Sequence, residues 1–179
     1  MIHELSKYFP LIFSIMLLVS ALIFVDWKNW KEYYPTIIFS ICVDFFISII
    51  TYKHSFWYFH KAFLTPNHTI ADFFIAFTNF PLIILIFLSR YPWKSLLLKQ
   101  LAYISFWSIL FTVIETIFLF LKLMSYHNGW NTLWSLIVWF FIFIGLIVHQ
   151  YKPLVAWLLC FSCTILIVLY FQIPVLKMK

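Results

Sequence analysis

The chain has 179 residues, of which 65% are hydrophobic and 10% charged. Soluble domains carry about a quarter charged residues, so this composition excludes a water-covered globule; 23% aromatics with two glycines also exclude a disordered or collagen-like chain. The formal charge is +6, but the twelve Lys and Arg stand in ones and twos between apolar runs, which argues against nucleic acid and for attraction to anionic lipid headgroups.

A spanning helix needs about 20 mostly apolar residues, and six segments meet that requirement: 8–25, 35–51, 69–89, 101–121, 130–148 and 154–171. They are too long for barrel strands and lack strict alternation. No linker or low-complexity run divides them. The expectation is one transmembrane domain over 1–179, an all-α polytopic bundle of six spans whose first partner is the lipid bilayer.

In chain order, the first run follows Lys7 and contains Val19-Ser20-Ala21, a weak cleavage-site pattern. Its hydrophobicity continues to Val25 and further spans follow, so it reads as an uncleaved first helix. Trp27, Trp30, Tyr33 and Tyr34 then lie at headgroup depth. Pro35 suits the first turn of the second helix. Residues 53–63 read as a surface-lying aromatic helix or loop. Thr69-x-x-Asp72 reads as a capping box opening the third helix, and Pro81 should kink that helix and free a carbonyl. Asn128-Gly129 is a tight-turn dipeptide before the fifth helix, and Pro153 separates the last two. Cys42, Cys160 and Cys163 all fall inside apolar runs, where packing is the expected role.

Basic residues should orient the bundle. The N-terminal side, side A, collects Lys7, Lys53, Lys61, Lys122, Lys177 and Lys179, and the opposite side B collects Lys28, Lys31, Arg90, Lys94, Lys99 and Lys152. Six stand against six, and no orientation follows.

The few polar residues inside the spans fall on helical stripes: Ser40, Asp44, Ser48 and Thr51 on the second; Asp72, Ala76 and Asn79 on the third; Ser105, Ser108, Thr112 and Glu115 on the fourth; Asn131, Ser135, Gly145 and His149 on the fifth; Ala156, Cys160 and Cys163 on the sixth. Small and polar residues of this kind mark helix seams. Asp44 and Glu115 cost more at depth, on the order of 3 kcal/mol each, and need a partner or a cavity. Either they are functional, or they are protonated carboxyls bonded to a neighbour. If the stripes converge, Asp44, Asn79, Glu115 and Asn131 form a ligand or proton pocket, with His60, His68, Tyr126, His127 and Asn128 at a mouth on side A.

The chain has no metal-ligand spacing, no Gly-x-Ser-x-Gly elbow and no Gly-rich phosphate loop, so no metal, cofactor or catalytic set is expected from motifs. Small-ligand or proton/ion binding or transport is the leading expectation. The alternatives are an accessory subunit that binds another membrane protein or a second copy, and an intramembrane lipid-acting enzyme.

Asp26-Trp27-Lys28-Asn29-Trp30, Tyr34-Pro35-Thr36, Pro66-Asn67-His68-Thr69, Ser125 to Asn131 and Tyr151-Lys152-Pro153-Leu154 together resemble a family of short multi-spanning membrane proteins of spore-forming Firmicutes such as Bacillus and Clostridium. The resemblance covers nearly the whole chain, and Tyr126-His127-Asn128-Gly129-Trp130-Asn131 is its most specific part. That family has no assigned activity, so no functional residue carries over. The resemblance implies a bacterial plasma membrane and a link to sporulation.

Overall fold

A computed structural model describes residues 6–175; Lys177 and Lys179, which entered the charge comparison, lie outside them. The described chain forms six helices, α1 (Phe9–Phe24), α2 (Trp30–Ile50), α3 (His68–Arg90), α4 (Leu97–Phe120), α5 (Thr132–Tyr151) and α6 (Pro153–Tyr170), with two short strands, β1 (Trp57–Phe59) and β2 (Met124–Tyr126). Helices α2 to α6 are each long and apolar enough to cross a bilayer. The fold is an all-α bundle, and the protein is a multi-pass membrane protein. The first helix has 16 residues, about 24 Å of helix against a hydrocarbon core of about 30 Å.

Helix α3 is the centre. It packs against α1, α2 and α5, while α4 packs on α5 and α6 lies outermost against α5. The reason is in its second half, Phe80–Arg90, which is apolar on every side and therefore has no face to turn outward. There Phe87 and Leu88 are fully buried, against Ile37 of α2, Ala21 of α1 and Phe143 of α5 in one core cluster. The Phe87 ring lies 4.6 Å from that of Phe143.

Three local features differ from the sequence reading. Pro35 is not in a first turn: α2 starts at Trp30 and takes Pro35 into its interior, because the aromatic and charged residues before it continue the helix through the headgroup layer. The capping box is replaced by Asn67, whose side chain accepts the Ile70 amide at 2.9 Å; α3 therefore starts earlier and puts Asp72 in its second turn. The segment 53–63 contains neither a helix nor a plain loop but β1, paired antiparallel with β2 in the register Trp57↔Tyr126, Tyr58↔Ser125, Phe59↔Met124. Backbone groups at the interface need partners, and two loops far apart in sequence supply them to each other.

Two expected turns are present. Asn128 and Gly129 have φ of 53° and 81°, closed by the Trp130 amide on the His127 carbonyl at 3.0 Å, which is the conformation that favours Asn-Gly. Pro153 opens α6 immediately after α5. In α3, Pro81 follows a π turn at Ile75–Asn79; the turn's extra residue is how the helix reaches a residue without an amide.

Candidate functional site

The polar residues at depth are distributed over separate clusters, each built by a different pair of helices. The first surrounds Glu115, which lies five residues before the end of α4 at Phe120, about 8 Å inside side A. Its Oε1 accepts from Tyr126 Oη and from Ser135 Oγ, both at 2.8 Å, and its Oε2 accepts from Trp139 Nε1 at 2.8 Å. Trp130 Nε1 donates to Ser135 Oγ at 2.9 Å. Ser135 and Trp139 are one turn apart on α5 and so present their groups together. The carboxyl thus fastens α4, β2 and α5 at one point. Burial raises the Tyr126 phenol above its ordinary pKa of 10.0; the Ser135 hydrogen bond works against this, and the Glu115 charge adds to the rise.

The second cluster lies between α2 and α3. His68 Nδ1 accepts the Phe59 amide of β1 at 3.3 Å, which leaves the proton of a neutral imidazole on Nε2. That nitrogen faces Asp72 Oδ2 at 3.5 Å, and both side chains are largely buried. Asp44 of α2 lies within electrostatic range of Asp72. Phe45 brings the two helices together, its ring 5.2 Å from Phe73 and 5.7 Å from Phe77. Because α2 runs from Trp30 to Ile50, Asp44 is not at mid-helix but about 9 Å inside side A. Asp72, four residues into α3, lies about 6 Å inside the same side. The two carboxyls are at similar depth. The Tyr58 ring lies 4.9 Å from His68 and 5.5 Å from His60, so β1 roofs the cluster.

The third cluster is deeper. Ser14 Oγ lies 2.8 Å from Asn79 Oδ1 and 3.0 Å from the Pro10 carbonyl; Ser14 and Asn79 are buried, and Asn79 closes the π turn halfway along α3. Near side B, Thr36 Oγ1 meets His149 Nδ1 and Gln150 Oε1, each at 2.9 Å, and Gln150 Nε2 donates to the Glu32 carbonyl at 2.9 Å. Phe39 stacks on the His149 ring at 4.2 Å.

Asp44, Asn79, Glu115 and Asn131 therefore occupy four different settings. Asn131 caps α5, its Oδ1 accepting from Leu133 and Trp134 amides at 3.0 and 3.1 Å. The five residues assigned to a mouth do gather at the side-A end, around β1 and β2. The His60 amide bonds the Leu123 carbonyl at 2.8 Å, His127 Nε2 meets Ser125 Oγ at 2.9 Å, and Asn128 Nδ2 bonds the Ser55 carbonyl at 2.8 Å. Two open grooves on the bundle surface, about 350 and 400 Å³, are lined almost wholly by apolar side chains, among them Ile109 and Phe140 in one, Phe46 and Phe161 in the other. Lipid tails suit such walls.

Sequence reasoning passed over Asp72 as a cap residue, read Trp130 as an interfacial ring, and gave no role to Ser14, Thr36 or Trp139. Ser14 carried a signal, since it is one of two hydroxyls in the otherwise apolar α1. Trp130 carried none, because interfacial anchoring explains it equally well. Among the described residues no group of three or more His, Cys, Asp and Glu is placed to hold a metal ion. No protein-family model, curated protein or solved structure matches this chain.

Proposed function

We propose that this is a proton-binding protein of a bacterial plasma membrane, which takes up protons from side A at Asp72, with Asp44 and His68 setting the charge balance. The observation that carries this reading is the His68–Asp72 pair at 3.5 Å, one turn inside a spanning helix, with a second carboxyl in electrostatic range on α2. Ionisable groups at membrane depth are costly, and their common use is in proton relays and ion pathways. The imidazole is held by a backbone amide of β1 on Nδ1, so its Nε2 faces Asp72. Both nitrogens of the neutral imidazole are engaged, so an arriving proton goes directly to the Asp72 carboxyl, which the Nε2–H of His68 faces. Glu115 has the opposite design: three donors occupy its two oxygens, which supports a structural role. The bacterial location rests on the family resemblance of the loop sequences.

The test is proton uptake by the purified protein after a pH jump, read with an indicator dye. Asp72→Asn should remove about one proton per chain from that uptake, and Asp44→Asn should shift its midpoint. Wild-type titration in both variants would sink the proposal.

A further inference from the structure

The inner side of α2 carries polar groups that the fold leaves unused. Ser40, Asp44 and Ser48 stand one turn apart on one face, across the helix from the exposed residues Ile38, Cys42 and Ile49. Each of the three is partly buried, and neither the two hydroxyls nor the carboxyl has a hydrogen-bond partner among the described residues. Every fully buried polar side-chain atom among those residues does have one. The three groups therefore border space that a water molecule can reach, on the side of α2 turned toward other helices. Asp44 is also the group in electrostatic range of Asp72.

The same face reaches Thr36 near side B, one further turn along. There the hydrogens can be counted. Gln150 Nε2 donates to the Glu32 carbonyl, so its Oε1 accepts the single Thr36 proton. The 2.9 Å contact between Thr36 Oγ1 and His149 Nδ1 then takes its proton from the ring. His149 is thereby held as the tautomer with a basic, unprotonated Nε2, the reverse of His68, and that nitrogen bonds no described residue. The ring is 6% exposed and lies two residues before the end of α5 at Tyr151, about 3 Å inside side B. The titratable residues adjoining it in the chain and the bond network are Glu32, Tyr151 and Lys152. Helices α2 and α5 run antiparallel, so one turn deeper than the Thr36–His149 contact they bring Ser40 and Gly145 to the same level. A Cβ at Gly145 would meet nothing within 4 Å, so space is open at that level. From Asp44 to Thr36 is about 12 Å along the axis, and Ser40 divides it into two steps of about 6 Å. Each step is about two hydrogen bonds long, the span of one bridging water.

We propose that the inner face of α2 carries protons across the membrane, by a file of waters and hydroxyls from Asp44 through Ser40 to His149 Nε2. This path rests on the reading of Asp72 and Asp44 as the proton-binding pair of side A, and extends it from uptake to transfer. Each water or hydroxyl accepts one proton and passes on another, so nothing along the file stays charged. Nε2 binds the proton and returns it to the headgroup layer of side B. The measurement is proton flux into sealed liposomes that hold the full-length protein and a trapped pH dye, driven by potassium efflux through valinomycin. Wild type should acidify the lumen about tenfold faster or more than protein-free vesicles. Ser40→Val removes the hydroxyl and fills the place of a water; His149→Asn keeps a donor for Thr36 but has no basic nitrogen. Each should cut the flux about tenfold, and both should retain the proton uptake in detergent that Asp72 supplies. Should His149→Asn not yield folded protein, Ser40→Val decides alone, since Ser40 bonds nothing in the fold. Flux no greater than that of protein-free vesicles overturns transfer and leaves the uptake reading standing, because uptake is measured separately. Wild-type flux in Ser40→Val also overturns it, because protons would then cross by another path.

Discussion

At Glu115 the chain concentrates three hydrogen-bonding side chains on one carboxyl, and removing that carboxyl leaves them without this acceptor. Glu115→Ala should cost about 3 kcal/mol or more in detergent unfolding, and Glu115→Gln clearly less, because the amide oxygen still accepts from part of the set. A loss below about 1 kcal/mol for the alanine variant would contradict the caged geometry. Tyr126 adds a pH dependence with a definite sign. Its folded pKa is raised above 10.0 by burial first, so its contribution is complete below pH 10. Above that the unfolded chain ionises while the folded one keeps its proton, and stability falls by up to about 1.4 kcal/mol per pH unit. Tyr126→Phe should unfold with a shallower alkaline slope than wild type in equilibrium unfolding between pH 9 and 11. Glu115 could be picked out in the sequence as an expensive residue. Its partners could not, since Ser135 and Trp139 reach it only through the α4–α5 packing.

The helices owe their limits to single residues, and here the sequence was partly legible. Asn-Gly before α5 announced its turn, whereas Asn131 was read as a pocket residue although it caps the helix. Asn131→Ala should cost about 1 kcal/mol through loss of the cap, measured by equilibrium unfolding. The strands were not legible at all: three residues carry too little alternation to register, and β1 has meaning only with β2 beside it. Pro81 did announce a break in α3. The form of that break, a π turn just before the proline and not a simple kink, was not legible.

At the scale of the whole molecule, six helices follow from hydrophobic run length, because the bilayer demands it. Their ends were less visible: α2 runs through Pro35 into residues that look like an interfacial loop. Which polar stripe faces which helix is decided by packing in three dimensions, and the polar residues at depth meet in pairs and small groups along different seams. The crossing topology itself can be checked with single cysteines in a background lacking Cys42, Cys160 and Cys163. Lys28→Cys and Lys94→Cys should react with an impermeant maleimide from one side of sealed vesicles, and Tyr52→Cys, at a site 78% exposed, from the other. Labelling of all three from one side would exclude the crossings by α2 and α3.

The pairing of Trp57 with Tyr126 also orders events in time. A ribosome has already delivered α1, α2 and α3 to the membrane before Met124 is made, so β1 waits at the surface with its edge open. Completion of β2 closes that edge and brings Tyr126 to Glu115. A chain cut short before residue 124 would keep an unpaired aromatic strand on display, and exposed edges of that kind are what cellular surveillance of unfinished proteins can grip. The small β-ladder thus marks a chain made past residue 126.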